Sequence, residues 1–139
     1  MLDDVEVDQV ADDIFRNAFA NCGQICVAVK RVYAPARLRA ELVDALADRA
    51  RAARVGDGSK DGIQIGPHCN RQQFDRVRGL VADAVRHGAT VAAGGGAIDG
   101  PGNFFEPTIL TGLDDGYRIV AEEQFGPALP VLSYLRSAA

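Results

Sequence analysis

The stretch Phe19-Ala20-Asn21-Cys22-Gly23-Gln24-Ile25-Cys26-Val27-Ala28-Val29-Lys30-Arg31-Val32-Tyr33 joins two kinds of periodicity, and the fold class follows from that change. Upstream, apolar residues recur every three to four positions at Val10, Ala11, Ile14, Phe15, Ala18, Phe19, Cys22 and Cys26, which predicts an amphipathic helix from Val5 to Cys26. Asp8, with its short acceptor side chain just ahead of the period, is the expected N-cap. Downstream, Val27 to Tyr33 is rich in β-branched residues and is closed by Pro35, which predicts a strand ending near Ala34. Gly23 interrupts the helical pattern at a cost of about 1 kcal/mol relative to Ala. A glycine that weakens a helix beside a cysteine invites a functional reading.

Working outward, Pro35 opens a second helix, in which Leu38, Leu42, Val43, Leu46, Ala47 and Ala50 hold a helical period up to the turn Gly56-Asp57-Gly58. Gly56 to Asn70 reads as one long loop, a length that is uncommon and often functional. A third helix runs from a cap at Asn70 through Phe74, Val77, Leu80, Val81, Ala84 and Val85 to Gly88. Ala89 to Ala93, Phe104 to Leu110 and Ala128 to Tyr134 read as extended segments. Helix and strand alternate, which predicts an α/β fold, a layered sheet with flanking helices.

The chain has 139 residues, 47% apolar and 24% charged, enough for one core-bearing domain. Its formal net charge of −4, with the signs interspersed, does not suggest a phosphate-backbone binder, so nucleic acid is not an expected partner. No apolar run approaches the roughly 20 residues of a membrane span. The N-terminus is acidic, unlike a secretory leader, and the three cysteines Cys22, Cys26 and Cys69 lack the paired spacing of a structural zinc site. Reduced thiols in a cytoplasmic protein, with no metal, are the expectation.

Cys26 is the most informative residue. At a helix-to-strand junction its thiolate would be stabilised by local N–H groups and partial helix dipoles, and a thiolate attacks carbonyl carbon. The competing reading, stronger on generic chemistry alone, is a small buried hydrophobe. His68 in a loop and His87 near a helix end suggest solvated or capping roles. Gly94-Gly95-Gly96 lacks the spacing of a phosphate loop and reads as a turn. Glu122-Glu123 fits either an acid/base pair or a solvated helix end, and spacing favours the latter.

The quoted stretch closely resembles the catalytic-cysteine segment of the aldehyde dehydrogenase superfamily, F-x-N-x-G-Q-x-C-x-A. Further motifs of that family are resembled in order by Gln64-Ile65-Gly66-Pro67 with Gln72-Gln73-Phe74, Gly88-Ala89-Thr90-Val91 with Gly94-Gly95, Phe105-Glu106-Pro107-Thr108, and Glu122-Glu123-Gln124-Phe125-Gly126-Pro127. The resemblance runs from about Leu2 to Tyr134. It implies that Cys26 is the nucleophile, forming a thiohemiacetal and then a thioester from an aldehyde substrate, with its backbone N–H as one oxyanion donor. It further implies that Glu123 holds the ribose hydroxyls of NAD or NADP, that Phe125 packs beside the nicotinamide, and that Gln73 touches the cofactor from its other side.

The resemblance also implies that residues 1–139 are a partial catalytic domain. The dinucleotide-binding domain, the general-base glutamate and the oxyanion-hole asparagine have no counterpart here, nor has the C-terminal oligomerisation segment. The expectations that follow are an isolated chain that oxidises no aldehyde and binds no cofactor tightly, and self-association through uncovered apolar patches and open sheet edges. A non-catalytic remnant serving as a structural or protein-binding module is the alternative.

Overall fold

The computed structural model describes residues 1–2 and 4–135. The chain runs α1 (Val7–Phe19), a 3₁₀ turn (Ala20–Gly23), β1 (Val32–Pro35), α2 (Ala36–Ala52), α3 (Arg71–Arg86), β2 (Thr90–Ala93), β3 (Thr108–Thr111), α4 (Arg118–Ala121) and β4 (Ala128–Tyr134). The strands form a mixed sheet in the order β1-β4-β3-β2. β4 lies parallel to both β1 and β3, with Val32 opposite Val131 and Ile109 opposite Leu129, while β2 closes the other edge antiparallel to β3.

Side-chain alternation along the inner strands builds a core on each face of this sheet. Ile109, Leu129 and Val131 face Leu42, Val43 and Leu46 of α2 together with Ala11, Ala18 and Phe19 of α1. Leu110, Ala128 and Leu132 face the opposite way, into Phe74, Val77, Leu80 and Val81 of α3 and Ile119 and Val120 of α4. The result is the expected α/β layered sheet with flanking helices. Among the described residues, no helix is long and apolar enough to cross a membrane.

Several expected boundaries move, each for a local reason. Glu6, not Asp8, occupies the N-cap position of α1, and Asp8 lies in the first turn, where its carboxylate pairs with Arg49 at 2.8 Å. The first helix ends at Phe19 rather than Cys26, because Asn21, Cys22 and Gly23 are all left-handed, with φ of 49°, 58° and 69°. The strand expected from Val27 begins only at Val32. Val27 is 88% exposed, Ala28 N–H closes a turn onto the Ile25 carbonyl, and Val29 N–H bonds Asn17 at the end of α1 instead of another strand. The extended segment expected from Phe104 is divided: Phe104 to Glu106 pairs with 96–98, through Ile98 N–H to the Phe104 carbonyl and Glu106 N–H to the Gly96 carbonyl, and β3 begins at Thr108. The Asn70 cap is as expected, its side chain accepting the Gln73 N–H at 2.8 Å. Helix α4 has no counterpart in the sequence reading; at four residues it is too short to show a period.

Candidate active site

Two loops from distant parts of the sequence meet at the end of the sheet. One is the elbow after α1, residues 20–31, and the other is the segment 122–127 ahead of β4. They touch backbone to backbone: a Cβ placed on Gly23 would lie 2.4 Å from the Gly126 carbonyl oxygen, closer than any side chain allows. The positive φ of Gly23 adds a second reason for glycine there. Gly126 is confined from its other side, where a Cβ would meet Val77 at 2.4 Å and His68 Nε2 at 2.9 Å.

Cys26 sits on the Ile25–Ala28 turn and is exposed, so the reading of it as a buried hydrophobe is corrected. The helix-dipole argument is corrected too. α1 stops at Phe19, and the end it presents to the elbow is its C-terminus, which repels negative charge. The buried thiol is Cys22, at 1% exposure, and burial pushes it up to about 12, with Cys69 nearby adding to the rise. Cys69 is exposed and exchanges two hydrogen bonds with Gln24, accepting from Nε2 at 3.1 Å and donating its N–H to Oε1 at 3.0 Å.

The opposite loop is held from three directions. Gln73 on α3 donates Nε2 to the carbonyls of Gln124 at 2.6 Å and Phe125 at 3.0 Å. Arg76 donates to the Glu123 carbonyl at 3.1 Å. Gln124 is buried and donates Nε2 to the Lys30 carbonyl at 2.7 Å and the Ile119 carbonyl at 3.2 Å. This anchoring leaves Glu123 exposed and sets Phe125 at a φ of 50°, a strained value for a non-glycine residue. Glu122 bonds Arg118 at 2.7 Å and Arg76 at 3.2 Å, and the Arg118 guanidinium first of all holds its carboxyl below the usual carboxylate range.

Cys26, Glu123, Phe125 and Gln73 therefore lie on or against one pair of touching loops. Lys30, which sequence reasoning assigned to a strand, links them. Its ammonium donates to the Gly23 carbonyl, lies 5.0 Å from the centroid of the Phe125 ring, and is attracted electrostatically by Glu123. The signal that could have found Lys30 is a pair of adjacent cations, Lys30 and Arg31, in the otherwise uncharged run Val27 to Tyr33. Gln124 was legible only as part of a motif.

Of the two histidines, His68 lies behind these loops, against Gly126 and Cys22. His68 is 2% exposed, not solvated: it lies against Phe74 and Phe105, with Nδ1 3.1 Å from the Asn103 carbonyl and 3.9 Å from Cys22 Sγ. His87 is exposed and caps α3, as its position suggested. Among the described residues, no group of three or more His, Cys, Asp or Glu side chains is placed to hold a metal ion.

The model of the aldehyde dehydrogenase family matches residues 1–138. The chain belongs to that family. It is 35% identical over 134 residues to a probable succinate-semialdehyde dehydrogenase [NADP(+)] of Sinorhizobium fredii, covering 96% of this chain and 27% of the relative. It is 36% identical over 138 residues to the betaine aldehyde dehydrogenase of Brucella anthropi, of which it covers 28%. Among solved structures, the NAD+ complex of the Bacillus cereus aldehyde dehydrogenase superposes with a TM-score of 0.93 at 33% identity, over 99% of this chain and 28% of that one. The chain thus spans little more than a quarter of the aldehyde dehydrogenases it matches.

Proposed function

We propose that this chain is part of the catalytic domain of an NAD(P)-dependent aldehyde dehydrogenase, with Cys26 as its nucleophile. The observation that carries the proposal is the meeting of the exposed Cys26 turn with the Glu123–Phe125 loop, locked by the contact of Gly23 with Gly126. In this reading the Cys26 thiolate attacks the aldehyde carbon, a C–S bond forms, and the carbonyl oxygen takes up the negative charge of a thiohemiacetal alkoxide. The Cys26 N–H is one donor to that oxygen. Loss of hydride leaves a thioester, which water hydrolyses to the carboxylic acid, freeing the thiol.

The residues present fit a nicotinamide cofactor. Glu123 offers an exposed, acceptor-only carboxylate suited to a pair of sugar hydroxyls, and Phe125 offers a half-exposed ring suited to packing against a flat heterocycle. When bound, the cofactor supplies the hydride acceptor. Gln73, which in this reading touches the cofactor from its other side, also supports the loop that presents Glu123 and Phe125: its Nε2 is engaged by two loop carbonyls.

Near-attack chemistry requires nucleophile, cofactor and water-activating base to be held together, and the His68 ring beside these loops is directed at Cys22 and the Asn103 carbonyl. By itself the 139-residue chain is therefore expected to reduce neither NAD nor NADP with any aldehyde. The nucleophile assignment is tested by iodoacetamide labelling near neutral pH, with each cysteine followed by peptide mass spectrometry. Cys26 should label fastest, Cys69 more slowly, and Cys22 only after unfolding. Labelling of Cys26 no faster than Cys69 would overturn the assignment and favour a non-catalytic module.

A further inference from the structure

His68 is buried in a loop, 66–70, whose other residues are exposed or half-exposed. Its ring is wedged behind both loops of the site. Cys22 Sγ on the elbow lies 3.9 Å from Nδ1, and a Cβ on Gly126 of the opposite loop would come within 2.9 Å of Nε2. The hydrogen bonds fix the tautomer. The Asn103 carbonyl accepts the His68 backbone N–H at 3.0 Å and stands 3.1 Å from Nδ1, and a carbonyl only accepts, so Nδ1 carries the ring proton. Nε2 is then a bare lone pair, buried, and among the described residues it has no hydrogen-bond partner. A neutral imidazole bears this; an imidazolium does not, because its second N–H and its charge would both be buried with nothing to receive them. The groups facing the ring offer no acceptor. The elbow presents the Cys22 thiol, and the segment 103–105 presents the Phe105 ring and the carbonyl already engaged. Helix α3 presents Phe74, with the cations Arg71 and Arg78 over its ring, and the 122–127 loop presents the Gly126 backbone, whose carbonyl accepts from Ala128. The carboxylates of that loop are engaged elsewhere, Glu122 with Arg118 and Arg76, and Glu123 in attracting Lys30. Burial holds the ring's proton affinity below its usual range, with the Asn103 carbonyl opposing.

We propose that His68 is a pH-operated latch behind the two touching loops: the neutral ring fills the space between Cys22 and Gly126, and the protonated ring swings to solvent and lets the loops part. The opening is local. Pro67 and Cys69, on either side of His68, are exposed, so the ring leaves by a turn of a few loop residues while the sheet and its helices stay packed. Cys22 reports the event, since its thiol lies against the ring and is covered while the ring is in place. The latch concerns the packing of the loops and does not rest on the reading of Cys26 as nucleophile.

The test is the accessibility of Cys22 to dithiodipyridine, a disulfide reagent that works in mild acid, in the purified chain from pH 5 to 8. Each cysteine is followed by peptide mass spectrometry, and its rate is divided by that of the same cysteine in the urea-unfolded chain at the same pH. Lowering the pH from 7.5 to 5 should raise the normalised Cys22 rate about tenfold, the scale set by a released histidine of ordinary affinity. The far-ultraviolet circular dichroism should stay unchanged, and the Cys22 rate should depend only weakly on urea, because a local opening exposes little surface. His68→Asn keeps a donor for the Asn103 carbonyl but cannot titrate, and it should flatten the profile, as should His68→Leu. A Cys22 rate equal at both pH values overturns the latch. So does an acid rise that persists in either variant, or one that carries the full urea slope of global unfolding. Should both variants fail to fold, the wild type decides by nuclear magnetic resonance of isotope-labelled histidine: the His68 Cε1–H shift should titrate in step with the Cys22 rate, and midpoints that differ overturn the latch. The relative labelling of Cys26 and Cys69 near neutral pH, which decides the nucleophile, is a separate measurement, so either reading can fail without the other.

Discussion

Cys22 and His68 form a buried pair that sets opposite ends of the stability profile. Burial raises the Cys22 thiol from its ordinary 9.0 to about 12, so the unfolded chain ionises this group first; its contribution is complete below pH 9 and is lost as the pH climbs towards 12. Burial depresses His68 below its ordinary 6.5, with the Asn103 carbonyl pulling the other way, so its contribution is present above pH 6.5 and is lost on acidification. Denaturant melts across pH should show a plateau between these windows, with the alkaline fall reduced in Cys22→Ala and the acid fall reduced in His68→Leu. Unchanged slopes would refute the assignment. At Gly23, Ala substitution combines a left-handed backbone with a clash against Gly126, and should lower stability by roughly 2 kcal/mol or more in urea titrations. These residues also show where sequence reading stops. Cys26 and Cys22 are four apart on what looks like one helical face, and only the left-handed run Asn21 to Gly23 sends one thiol inward and the other to solvent.

The elements were legible in proportion to their length and regularity. α3 carries an unbroken apolar stripe and a capping asparagine, so its bounds could be read within a residue or two. The segment 20–31 could not, because its β-branched residues satisfy their backbone groups through turns and the end of α1, and because propensity is weaker than such local hydrogen bonding. Contacts between elements were invisible as well. Arg49 on α2 reaches both Asp8, at 2.8 Å, and Asp12, at 2.6 Å, and donates to the Asp8 carbonyl at 3.0 Å, bracing α1 against α2. Both carboxylates are largely exposed, so the brace is modest. Arg49→Ala should cost about 1 kcal/mol, and Arg49→Lys should recover only part of it, since a single ammonium does not reproduce the guanidinium fork; urea melts of both variants decide this.

Among the described residues, the two outer strands of the sheet are short and unmatched on one side, and Leu2, Tyr33 and Leu135 are exposed around the end where Met1 donates to the Tyr33 carbonyl and accepts from the Tyr134 hydroxyl. Apolar exposure of this kind favours association. Sedimentation equilibrium should show an average mass that rises with protein concentration, and a constant monomer mass would contradict this. Self-association was expected from the sequence through the family resemblance, whereas the position of the apolar residues required the fold. The contact between Gly23 and Gly126 also bears on the order of folding. It closes a loop of about a hundred residues, the kind of distant pairing that forms late. Until β4 has docked, the elbow that carries Cys26 has no Gly126 to press against. Under the proposed reading of Cys26 as nucleophile, its alkylation rate followed during refolding is then a clock for the arrival of the last strand.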